Sequence, residues 1–210
     1  MAISNGYVTL AELKSYVSPS IGDTDDDTEL EFAVEAASRM IDQHCRRRFY
    51  ADGSATARTY RCEWPDKVYV DDISTTTGLV VKTDESDNAT FDRTWTISTD
   101  FELEPLGAVG PGGESWGYTA IVAVGTRYRF PTDGRRPRLQ VTADWGWPAV
   151  PDAVRQACLI QSSRLFRRAG SPEGVIGGFM SDVGPVRVGT RLDPDVKMLL
   201  DPYRLNPVRV

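Results

Sequence analysis

The sequence predicts an α+β protein: a small helical bundle carrying an inserted antiparallel β-sandwich or barrel-like region, and ending in an extended C-terminal tail. Three observations carry this reading. Between Thr28 and Tyr50, Leu30, Ala33, Val34, Ala37, Ile41 and Cys45 recur at i, i+3, i+4, i+7, i+11 and i+15, which is one face of an α-helix. From about Arg58 to Trp145 that period gives way to short runs of β-branched and aromatic residues separated by turn clusters. Helical period then returns at Pro151-Asp152. No βαβ alternation is visible, which argues against a Rossmann-type sheet. The expected division is 1–53 and 148–200 for the two halves of the helical body, 54–147 for the β insertion and 201–210 for the tail.

The first helix starts near Val8. Thr9 and Glu12 make a capping box, Val8 and Leu13 occupy staple positions, and Ser18-Pro19-Ser20 stops the helix after about Val17. The long helix is expected to use Thr28 as N-cap with Glu31 reaching back. Asp25, Asp26, Asp27 and Glu29 crowd its start and Arg46, Arg47 and Arg48 close it, the order a helix dipole favours. Phe32, Ala36 and Met40 add a second apolar flank, wider than one packing partner needs, so this helix is read as covered once by its own domain and once by a neighbour.

In the β region the expected strands are Val68-Tyr69-Val70, Leu79-Val80-Val81, Thr94 to Ile97, Phe101-Glu102-Leu103, Tyr118 to Val124 and Leu139 to Ala143. About six short strands at this spacing suit a sandwich or small barrel. Pro151 and Asp152 open the next helix, whose end is loaded by Arg164, Arg167 and Arg168 before Gly170. Ser171 to Gly189 reads as a loop or hairpin with Pro185-Val186-Arg187-Val188 extended. Asp193 caps a last short helix through Leu200, and the chain from Asp201 is expected to be extended.

A chain of 210 residues buries roughly 70% of its unfolded surface, enough for one domain or two small ones. Its net charge of −6 is uneven. Residues 1–110 carry 10 basic and 21 acidic side chains, while residues 111–210 carry 14 and 9. The halves can attract each other within one fold, or opposite patches can meet between subunits or partners. An acidic total argues against an ordinary nucleic-acid binder. No apolar run approaches a membrane span, and the N-terminus MAISNGY is not a signal peptide. Three cysteines without CxxC spacing form neither a disulfide framework nor a zinc knuckle, which makes a reducing cytosol the default place of folding.

Motifs for chemistry fail on their context. Gly113-Glu114-Ser115-Trp116-Gly117 matches the nucleophile elbow literally, yet the elbow needs a strand before the serine, a helix after it and a later histidine. Here a strand follows Ser115, and the one histidine, His44, lies upstream. Asp23, Asp25 and Asp27 stand at calcium-loop positions 1, 3 and 5, but positions 6 and 12 are Thr28 and Val34 rather than Gly and Glu. Arg46-Arg47-Arg48 reads equally as a helix terminus satisfied by cations or as a contact for phosphates or carboxylates. Arg127-Tyr128-Arg129-Phe130 mixes cations and aromatics as single-strand binders do, and also alternates as one solvated face of a strand. Asp144-Trp145-Gly146-Trp147-Pro148 raises a carbohydrate platform, against a strand-to-helix corner packed by two tryptophans. No catalytic, metal or cofactor site is expected.

The order of these elements carries a resemblance. Tyr7-Val8-Thr9-Leu10-Ala11-Glu12-Leu13 precedes an acidic loop, followed by Ala36-Ala37-Ser38-Arg39-Met40-Ile41-Asp42 and Cys45-Arg46-Arg47-Arg48-Phe49-Tyr50. The β region closes on Asp144-Trp145-Gly146-Trp147 and Pro151-Asp152-Ala153-Val154, and the chain finishes with Asp195 to Leu200 and Pro202-Tyr203-Arg204. This resembles the head-to-tail adaptor (head completion, or connector) proteins of long-tailed bacteriophages and related prophages. The resemblance implies a non-enzymatic virion protein, assembled in the host cytoplasm into a ring of twelve copies beneath the portal protein. Such a ring extends the channel for passing double-stranded DNA, without sequence-specific binding, and docks a stopper or tail-completion protein. It also implies that Tyr203, Arg204, Leu205, Val208, Arg209 and Val210 dock on the portal. The subunit contact is expected at Phe32, Ala36, Met40, Arg46, Arg47 and Arg48, and an acidic channel wall at Asp23, Asp25, Asp26 and Asp27. The competing readings are another neck protein, such as a stopper or tail terminator, and a nucleic-acid or carbohydrate-binding β module with helical flanks.

Overall fold

The computed structural model describes residues 3–17, 24–110, 112–125, 129–133, 135–169, 175–176, 186–187 and 192–205. Helix α1 (Leu10–Val17) opens on the expected box: Glu12 N–H donates to the Thr9 hydroxyl at 3.2 Å and Thr9 N–H donates to the Glu12 carboxylate at 2.7 Å. Val8 and Leu13, at the staple positions, are both buried.

Helix α2 (Asp27–Cys45) buries the face read from the sequence, Leu30, Ala33, Val34, Ala37, Ile41 and Cys45, together with Ser38. Its start differs from expectation. Asp26, not Thr28, stands at the N-cap, with no side-chain cap, and Thr28 lies in the first turn. The helix begins early because Thr24 and Asp26 carbonyls already accept from Asp27 and Leu30 N–H, at 3.3 and 3.0 Å. Acids at the dipole's positive end support this turn without a capping side chain. The helix ends at Cys45, and Arg46 turns into the left-handed region at φ 55°. Arg46 and Arg47 N–H groups both return to the Asp42 carbonyl, a Schellman-type close that satisfies one of the last orphan acceptors.

Two compact units result, one of 3–48 with 150–205 and one of 49–149. In the helical unit the α2 stripe packs with Val154, Ala157 and Cys158 of α3 (Asp152–Ala169) and Val196 and Leu200 of α4 (Pro194–Leu200), all with no exposed surface. Each such aliphatic side chain contributes about 1.5–3 kcal/mol by burial. The polar Ser38 in this core is satisfied: its hydroxyl donates to the Val34 carbonyl at 2.8 Å and accepts Tyr7 N–H at 3.2 Å. Asp193 caps α4 by accepting Asp195 N–H at 2.8 Å. The expected tail begins differently, since Asp201–Tyr203 continue α4 as a 3₁₀ turn and extended backbone starts only at Arg204.

The other unit is two antiparallel sheets and not a closed barrel. Strands β1 (Ala55–Tyr60), β7 (Leu139–Asp144), β3 (Val80–Thr83) and β4 (Arg93–Trp95) form one in that spatial order. Strands β2 (Lys67–Ile73), β6 (Tyr118–Ala123) and β5 (Phe101–Glu104) form the other. Alternate residues of both sheets (Val68, Val81, Leu103, Ile121, Leu139, Val141 and Ala143) make one core with Trp95, Phe101 and Trp145. Strand β1 is the one the sequence reading lacks. Arg129 and Phe130, read there as part of an alternating strand, lie in irregular backbone, while Arg127 and Tyr128 fall outside the described residues. A further pairing joins β8 (Val175–Ile176) to β9 (Val186–Arg187), as the hairpin expected over 171–189 requires.

Candidate interaction surface

At about 100° per residue, Phe32 stands about 180° from the centre of the buried α2 stripe. Phe32 is 52% exposed. Ala36, one turn on, and Glu29 and Gln43 near the same line are exposed as well, with Met40 half-buried at its edge. The flank read as a widening of the core stripe is therefore a separate outward face. Met40 is its inner boundary: its sulfur lies 3.8 Å from the Gln161 amide nitrogen.

At the end of α2, Arg46 is exposed and Arg47 and Arg48 are half-buried. The C-terminal segment packs beside them. Leu205 N–H donates to the Cys45 carbonyl at 3.0 Å, and His44 Nε2 lies 3.7 Å from the Asp201 carboxylate. Among the residues expected to dock on a partner, Tyr203 is buried within this unit, Arg204 is exposed and Leu205 is half-buried. Val208, Arg209 and Val210 lie outside the described residues, as does Asp23. Asp25 and Asp26 are exposed, whereas Asp27 forms an ion pair with Lys14.

Elsewhere on the helical unit, α1 and α3 leave a shallow, open depression of about 550 Å³ lined by Ala11, Glu12, Ser15, Tyr16 and Leu159. Tyr16 is 45% exposed there. The Glu12–Arg155 ion pair ties the two helices at the edge of the depression. The hydrogen bond from Thr9 N–H holds the Glu12 carboxyl below its ordinary range, with slight burial opposing and the Thr9 hydroxyl and Arg155 assisting. The β unit presents its own exposed apolar side chains, Leu106 and Val109, on the turn after β5.

The motifs singled out for chemistry are placed as follows. Ser115 is exposed beside a lone bridge to Val109, with β6 and no helix after it. No group of three His, Cys, Asp or Glu able to hold a metal is present among the described residues. Cys45, Cys62 and Cys158 are free and buried, and burial pushes the thiols of Cys45 and Cys62 up to about 12. Trp145 and Trp147 are the packed corner rather than a platform. Both rings are buried, and their indole N–H groups donate to the Thr56 carbonyl at 2.8 Å and the Asp72 carboxylate at 3.1 Å. Phe130 is buried and stacked on Trp95 at 4.6 Å, and Arg138 is buried with its guanidinium on the Asp84 carbonyl and Asp133. Neither faces solvent as a base-stacking site would.

No family model matches the chain, and no curated protein matches it. A solved structure does. It is described as the neck of an empty GTA (gene transfer agent) particle computed with C6 symmetry, and one of its chains resembles this one at TM-score 0.55 and 17% sequence identity. The likeness covers 97% of this chain and 92% of that chain. At that identity it establishes a shared fold.

Proposed function

We propose that this chain is a structural neck protein of a phage or phage-like particle. It forms a ring beneath the portal, extends the DNA channel and joins the head to a stopper or tail protein. The observation that carries the reading is the shared fold with a neck chain over nearly the whole length of both, helical and β parts alike. The C6 symmetry named for that particle suits a ring, and a sixfold operator is contained in a twelvefold one, so a dodecamer is compatible with it. In this reading the helical unit is the ring body, the β unit is an insertion, and the chain from Arg204 onward reaches onto the portal. The outward face at Phe32 and Ala36, with Arg46 to Arg48 at the end of the helix, is the natural subunit contact.

Mixing the purified chain with its cognate portal and measuring the mass of the product tests this. The expected product is a complex with a whole-number ring of six or twelve copies. Failure to associate, together with specific binding of an oligonucleotide or glycan, overturns the reading. Binding to a tail protein and not to the portal makes the chain a stopper or terminator.

A further inference from the structure

In a closed ring each copy must present two different surfaces that fit one another. Among the described residues the helical unit exposes the apolar side chains Phe32 on α2, Met198 on α4 and Tyr16 on α1, the last beside a shallow open depression against α3. Phe32 stands with Ala36 on the outer face of α2, and the depression is lined by Ala11, Glu12, Ser15, Tyr16 and Leu159; of the exposed apolar side chains, Phe32 lies on a helix whose flanking charges complement those of α3. Resting on the ring reading above, we propose that Phe32 of one copy seats in the α1–α3 depression of the next, with α2 antiparallel to the neighbour's α3.

The direction follows from charge and helical rise. Asp26, the exposed N-cap of α2, precedes Phe32 by about 9 Å at 1.5 Å per residue, with the exposed Asp25 in the turn just before it. Arg167, exposed in the last turn of α3, lies about 12 Å beyond Leu159. An antiparallel setting therefore brings the acids of one copy to the arginine of the other. A parallel setting instead brings Arg39, about 10 Å on from Phe32, against Arg167, a like-charge contact. The antiparallel register also closes at the other end. Ala36 lies about 6 Å past Phe32, and Arg155 lies about 6 Å before Leu159. The Arg155–Glu12 pair stands at that point, with the exposed Ala11 next to Glu12 in the chain and a small residue, Ala36, facing it. This arrangement places Asp25 and Asp26 in the contact between copies rather than on the channel wall.

Cysteine crosslinking on portal-assembled rings tests the pairing. The native thiols are buried, and those of Cys45 and Cys62 stay protonated at neutral pH, so introduced cysteines react selectively. A chain carrying Ala11→Cys and Ala36→Cys, treated with a short bifunctional thiol reagent, is expected to give a ladder of covalent multimers ending at the ring number. Each single variant alone is expected to give none, and an equimolar mixture of the two to stop at the dimer. Phe32→Asp is expected to weaken assembly by about tenfold or more while the monomer keeps its melting temperature. Rings of full mass with no ladder overturn the proposed contact and leave the ring reading standing. Dimers from Ala36→Cys alone indicate a twofold contact and also overturn it. Absence of any ring from the unmodified chain with portal defeats the ring reading itself.

Discussion

Gly146 links β7 to Trp147 at φ 118°, and a Cβ there would run into the Tyr50 carbonyl. Gly146→Ala is expected to cost about 3 kcal/mol or more in denaturant unfolding, because backbone and not a flexible side chain must give way. Arg46 is the opposite case, a non-glycine residue in the left-handed conformation at an exposed helix end. Arg46→Gly is expected to raise stability by about 0.5–1 kcal/mol in the same measurement. Asp84 supplies a pH dependence. Burial raises its pKa, but N–H groups of Ala89, Asn88 and Ser86 donate to its carboxylate and, with Arg138, bring it below the ordinary value. A folded pKa below the unfolded one gives stability that is fully present above about pH 3.9 and is lost as pH falls through the folded value. The stability gap between the protein and Asp84→Asn should therefore be open at pH 7 and close below about pH 4, as read by urea unfolding across pH. None of these three roles was legible in the sequence, since each depends on which backbone groups the fold brings close.

At the scale of elements, local chemistry explains what could be read. Helix α1 was legible because both halves of its box, Thr9 and Glu12, lie within one turn, and Glu12→Ala is expected to cost about 1 kcal/mol in thermal unfolding. The α2 core face was legible from period alone. Its second flank, Phe32, Ala36 and Met40, repeats every four residues and so drifts around the helix, leaving Phe32 and Ala36 on an outward face and Met40 at the edge of the core stripe. Thr28 has the right chemistry for the cap of α2, but the Thr24–Asp27 turn starts the helix two residues earlier, with Asp26 at the cap. Strand β1, Ala-Thr-Ala-Arg-Thr-Tyr, shows no buried alternation to read. It is an edge strand specified by its pairing with β7, from Ala55↔Asp144 to Tyr60↔Leu139.

At the scale of the whole molecule, the interruption of helical period between Cys45 and Asp152 was enough to place a β region between helices, because the two periods differ so plainly. The C-terminal end was less legible, since Pro202 suggested an extended tail and in fact occupies the 3₁₀ turn that buries Tyr203. Removing Arg204 to Val210 deletes the Leu205–Cys45 hydrogen bond but, among the described residues, no core side chain. Such a truncation is expected to lose about 1 kcal/mol, stay folded by circular dichroism and fail to bind the portal. Unfolding of the truncated chain would sink the idea that this segment serves docking alone.

The helical unit is closed by residues far apart in the chain. Ser38 meets Cys158, and the end of α2 holds Leu205, so beyond α1 and Tyr7 the partners of α2 are made only after the whole β unit. The β unit is one unbroken stretch, 49–149, and needs nothing downstream to complete its sheets. During synthesis, then, the β unit is ready while α2 still waits with Leu30, Val34 and Ile41 uncovered. The helical unit is thus the later of the two to mature, although its first residues are the first to be made.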